Sequence, residues 1–170
     1  MTAHPTRTGR VAHVAWTCHG PLGAPATPVL LLHGVTDSGE CWPGVVAHLT
    51  APGVTPRSVL TLDARGHGGS ALPDEPFSIT GLVDEAAAVV REVLGRPALV
   101  VGHSMGGLTA QGLAAHHPDL VVGLVLEDPA WVRDRPSTPS RAPGWLPGAL
   151  REWAAVPEDE LVARSRAEQP

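Results

Sequence analysis

Ser104 stands in Gly102-His103-Ser104-Met105-Gly106, a G-x-S-x-G spacing that follows the apolar run Pro97–Val101 and precedes an Ala/Leu/Gly-rich segment. A serine hydroxyl held at the tip of a strand-to-helix turn is the nucleophile of one kind of acyl transfer. The spacing has a physical reason. Such a turn forces the serine into a strained backbone conformation, and small neighbours let strand and helix pass closely. It exposes Oγ and places the Met105 N–H at a helix N-terminus, where it faces developing negative charge. A chance glycine-rich turn is the plain alternative; the strand before and the helix after favour the nucleophile.

The composition removes other chemistries. The chain has 170 residues, 43% of them hydrophobic, enough for one sizeable core. Its net charge is −5, and its 12 basic residues, all arginine, are scattered, which leaves no footprint for nucleic acid or an anionic membrane. Cys18 and Cys41 form neither a metal nor a redox spacing and fit a reducing cytoplasm. The polar N-terminus and the short Val11–Trp16 run do not make a signal peptide. The long, nearly uncharged stretch from Ala98 to Ala115 holds His103, Ser104 and Gln111, so it reads as buried strand plus helix, not a membrane span. Neither Gly34 nor Gly102–Gly107 opens a Walker or dinucleotide fingerprint. Acyl transfer through a serine and backbone amides asks for no metal and no cofactor.

The elements that must hold Ser104 alternate. Val11–Thr17 reads as a first strand, followed by a Gly/Pro-rich turn over Gly20–Pro28. Val29–Leu32 and Ser58–Leu62 are short, almost wholly apolar runs that suit strands buried on both faces. Trp42–Leu49 offers a short helix with Pro43 in its first turn. Leu82, Val83, Ala86, Val89, Val90, Val93 and Leu94 keep helical spacing, and Gly95 stops that helix. Ala98–Val101, a Met105–His116 helix and Leu120–Leu126 complete the pattern. Strands separated by helices predict an α/β fold with a mostly parallel, doubly wound sheet. Past Asp128 five prolines break the pattern up to Gly148, and Ala149–Val156 and Glu158–Arg166 read as two short helices.

Together these motifs resemble the α/β-hydrolase superfamily, serine esterase and lipase branch. Beyond Gly102–Gly107, the strand ending in His33-Gly34-Val35 is similar to the family's oxyanion-loop motif. Asp63-Ala64-Arg65-Gly66-His67-Gly68-Gly69-Ser70 resembles its D-x-R-G-x-G-x-S loop, and Leu124–Pro129 its sixth strand. The resemblance implies an oxyanion hole made by the Val35 and Met105 N–H groups, and a small-molecule acyl substrate. It implies a core over residues 1–128 and, over 129–170, a connection and the start of a helical cap. A serine at the nucleophile position points to ester chemistry and away from the branches that carry a carboxylate there.

The chain also departs from the family. Triad order there is Ser, then Asp or Glu, then His, and no histidine follows His117. Upstream histidines do not replace it: His33 orders the oxyanion loop, His103 points to the other side of the elbow, and His67 is structural. His116-His117 reads as a helix end, not a metal pair. Asp128, at the end of the sixth strand, is a minor candidate for the acid, and Asp37 and Ser38 read as helix caps. Two functions follow: a serine hydrolase of which this is the N-terminal part, or a catalytically silent remnant or interaction module. Without a seventh strand, Leu120–Leu126 becomes an apolar sheet edge prone to self-association.

Overall fold

The computed structural model describes residues 6–130. They fall in one compact unit, Met1–Trp131; the other, Val132–Pro170, lies outside the described residues. So do the two short helices expected after Gly148.

The chain opens on a hairpin, β1 (Thr6–Val11) and β2 (Val14–His19), where the sequence pattern predicts one strand over Val11–Thr17. The correction lies at Ala12, which turns the chain at φ +50 without the glycine or asparagine that usually marks such a turn. β3 (Val29–Leu32) and β4 (Val59–Leu62) are buried along their whole length. Between them a 3-10 turn, Gly39–Cys41, leads into helix α1 (Pro43–Leu49). Helix α2 (Ile79–Val89) runs on through a π turn, Val90–Leu94, and stops at Gly95, which adopts φ +64 and donates its N–H to the Val90 carbonyl. Strand β5 (Ala98–His103), helix α3 (Met105–His116), a 3-10 turn at Pro118–Leu120 and strand β6 (Val121–Glu127) follow.

The six strands order as β1-β2-β4-β3-β5-β6. The β1/β2 and β2/β4 pairs are antiparallel; β4, β3, β5 and β6 run parallel. Alternate side chains of the central strands feed two cores. Leu30, Leu32, Leu60 and Val100 pack with Ala86, Val89, Ala110 and Leu113 of α2 and α3. Val29, Leu31 and Val59 pack with Trp42 and Val46 beside and on α1. Helices therefore cover both faces, the doubly wound arrangement expected, and every parallel strand ends on the side where α3 begins. β6 pairs only with β5 among the described residues, and its Val122, Leu124 and Val125 are exposed.

Candidate active site

Ser104 lies where β5 turns into α3, with φ +49 and ψ −111. That backbone is strained for any residue with a Cβ. The surrounding bonds hold it there. Its N–H donates to the Glu127 carbonyl at 3.0 Å, and its own carbonyl accepts from Leu108 N–H at 3.2 Å. The flanking glycines are sterically required. A Cβ on Gly102 would overlap the Gly106 carbonyl, and one on Gly106 would overlap the Leu32 carbonyl at the end of β3. Strand, turn and helix thus touch backbone to backbone. Met105 is the first residue of α3, so its N–H has no partner within the helix and points out of its N-terminus.

The loop after β3 lies against this turn. His33 is 2% exposed. Its Nε2 accepts from Ala64 N–H at 3.0 Å, so the proton sits on Nδ1, which donates to the Gly34 carbonyl at 2.7 Å. Burial pushes its pKa below the ordinary histidine value, which keeps the ring neutral. His33 therefore orders the loop, the role its place in the sequence suggests. On the other side of Gly34 lies His103, whose Nδ1 is 3.9 Å from the Asp37 carboxylate. Val35, next along, is exposed. The two amides expected to form an oxyanion hole, those of Val35 and Met105, thus belong to loop and helix segments packed together at the C-terminal end of the sheet.

The remaining candidates are placed as follows. Ser38, not Asp37, makes the cap: its hydroxyl accepts from Glu40 N–H at 3.3 Å, at the 3-10 turn before α1. Asp128 is exposed and, at φ +37, is strained in its turn. His116 closes α3, and His117 hydrogen-bonds Arg91 at 3.0 Å. Partial burial and the neighbouring Asp37 and Glu127 carboxylates raise the Cys41 thiol to about 11, so it offers no competing thiolate.

The sequence motif marks the loop over Asp63–Ser70 and a structural role for His67, but not the contacts by which the loop supports the site. Asp63 accepts from Gly39 N–H at 2.6 Å and Gly69 N–H at 2.8 Å. Arg65 pairs with Glu85 of α2, which also takes His13 at 2.5 Å. His67 reaches the Val35 carbonyl at 2.8 Å. Main-chain partners leave no trace in a sequence, so the motif marks the loop without naming what Asp63 and His67 hold.

The profile of the alpha/beta hydrolase family matches residues 29–169. The chain belongs to this family. It is 41% identical to the lipase LipV of Mycobacterium tuberculosis over 116 residues, 68% of this chain and 41% of that protein. It is 37% identical to an esterase of the same organism over 123 residues, 72% of this chain and 37% of that protein. It is 32% identical to the human (lyso)-N-acylphosphatidylethanolamine lipase over 127 residues, 71% of this chain and 36% of that protein. The crystal structure of the mycobacterial esterase superposes with a TM-score of 0.59 at 32% identity, covering 72% of this chain and 41% of that one. A marine microorganism esterase shares the fold, with a TM-score of 0.67 over 87% of this chain and 53% of its own, at 24% identity. The chain spans about two fifths of the length of these curated relatives. Among its described residues no helix is long and apolar enough to cross a membrane.

Proposed function

We propose that the chain carries the nucleophile and oxyanion hole of a carboxylesterase-type serine hydrolase. The observation that carries this reading is the strained Ser104, at φ +49 at the N-terminus of α3. Oγ of Ser104 attacks the ester carbonyl carbon, and the carbonyl oxygen takes up the electron pair as an oxyanion. The Val35 and Met105 N–H groups receive that charge. The alcohol leaves, the acyl group stays on Ser104, and water releases it as the carboxylic acid. These steps use a serine and two backbone amides and draw on no metal.

The hydroxyl proton needs a base, and no histidine follows His117. The second reading is a non-catalytic module. Loss of a triad member costs up to ~10⁶ in rate and leaves ~10³ to ~10⁴ over water from the oxyanion hole and binding. A fluorophosphonate probe separates the readings. Ser104 takes the label, slowly in the 170-residue chain and far faster in a version extended to include a histidine base; EDTA changes neither rate. Ser104→Ala abolishes labelling. Label that survives this change, or a need for added metal, overturns the assignment.

A further inference from the structure

The Val35 amide can receive an oxyanion only if its direction is fixed, and two histidines fix it from opposite sides. Val35 N–H and the Gly34 C=O belong to one trans peptide, so they point in opposite directions. Aiming the Gly34 carbonyl therefore aims the Val35 N–H. His33 Nδ1 donates to that carbonyl at 2.7 Å, and Asp37 N–H donates to it at 3.1 Å. The next peptide plane, beyond the Val35 Cα, is held separately. His67 Nε2 lies 2.8 Å from the Val35 carbonyl and its Nδ1 2.9 Å from the Arg65 carbonyl. Both carbonyls only accept, so the ring is the donor; both contacts are hydrogen bonds at once only when it carries a proton on each nitrogen. The two imidazoles pack with centroids 5.2 Å apart.

Val35 itself is 45% exposed, so side-chain packing does little to hold it. With the planes on both sides of its Cα hydrogen-bonded, its φ and ψ lose their freedom without any packing. Resting on the functional reading above, we propose that His67 is a positioning residue that keeps the Val35 N–H aimed at the oxyanion through the Val35 carbonyl. The Asp63–Ser70 loop is thereby a working part of the site. Its own anchors, Asp63 on Gly39 and Gly69 and Arg65 on Glu85, give His67 a fixed base from which to act.

The test separates the ring's two contacts. His67→Gln keeps an N–H donor at the reach of Nε2, toward Val35; the shorter His67→Asn keeps one at the reach of Nδ1, toward Arg65. Fluorophosphonate labelling of Ser104 is followed in the full chain, at concentrations below the onset of light scattering, beside the thermal melt of each variant. Removal of an oxyanion donor costs ~10² to ~10³ in rate; a donor misaimed but present costs about tenfold. The expected result is labelling about tenfold slower in His67→Asn and His67→Ala and restored in His67→Gln. Equal rates in the Gln and Asn variants, or losses that track melting temperature alone, overturn the proposal. Should wild-type Ser104 take no label, the functional reading fails. Amide hydrogen exchange over residues 34–37 then decides the clamp, with faster exchange in His67→Asn than in His67→Gln supporting it and equal exchange overturning it.

Discussion

Ser104 donates its amide N–H to the Glu127 carbonyl at 3.0 Å, which ties the end of β5 to the end of β6. Both strands end in strain at that link, with φ +49 at Ser104 and +37 at Asp128. Strained residues persist only where their surroundings over-determine them. Here the turn has a neighbouring strand as its brace, and the cost of the conformation is borne by the sheet.

Relieving that strain should stabilise the protein and silence it. Ser104→Gly removes the Cβ that makes φ +49 unfavourable. A gain of about 1 kcal/mol in unfolding free energy is expected, together with complete loss of fluorophosphonate labelling. Chemical denaturation of the two proteins side by side reads the first; a less stable glycine variant would show that the turn is unstrained.

Glycines at two positions should answer oppositely to alanine. At Gly106 a Cβ meets the backbone of Leu32 and His33, which cannot move aside; at Gly44, in α1, nothing lies within 4 Å. Gly106→Ala should cost ~3 kcal/mol or more. Gly44→Ala should be neutral or gain up to ~1 kcal/mol from helix propensity. Melting temperatures that fall equally would contradict the close approach of α3 to β3.

Acid should weaken the fold through His33. Burial lowers its pKa in the folded state, so as pH falls through the ordinary histidine value of about 6.5 the unfolded chain takes up a proton that the folded chain does not. Stability is therefore full above that pH and declines below it, by at most about 1.4 kcal/mol per pH unit for one such group. His19, also lowered by burial, adds in the same direction. Melts recorded from pH 8 to 5 should show the decline, and His33→Asn should flatten it. A slope unchanged in that variant would move the effect elsewhere.

The β6 edge should make the isolated chain self-associate. Val122 is 60%, Leu124 37% and Val125 49% exposed, beside a row of backbone groups that no described strand pairs. Apolar edges of this kind template further pairing. Replacing Val122 and Val125 by lysine should lower light scattering and shift the chain toward monomer in size-exclusion chromatography. A wild-type chain that stays monomeric throughout the micromolar range would refute this.

Legibility in the sequence follows how each feature is encoded. Val29–Leu32 and Val59–Leu62 were readable because burial on both faces leaves an uninterrupted apolar run. The α2 stripe and its Gly95 stop were readable because side-chain period and left-handed backbone both select residue types. The hairpin at Ala12-His13 was not, since its turn uses ordinary residues. Ser104 stood out because strain and close approach demand glycines at fixed offsets. The Asp63–Ser70 loop stood out as a motif but its contacts did not, because most of what those side chains grip is main chain, which every sequence has everywhere.

The strand order also dictates how the molecule can be put together. Once β4 has settled between β2 and β3, the first four strands form a continuous block, and β5 and then β6 add in turn on the β3 side. Assembly of the described strands can therefore follow the direction of synthesis, with none of them forced into a sheet already closed. The elbow is completed at the last of these additions. Until β6 arrives, the Glu127 carbonyl that restrains Ser104 is not there, so a ribosome-bound chain holds the serine before it holds the geometry that would make it reactive.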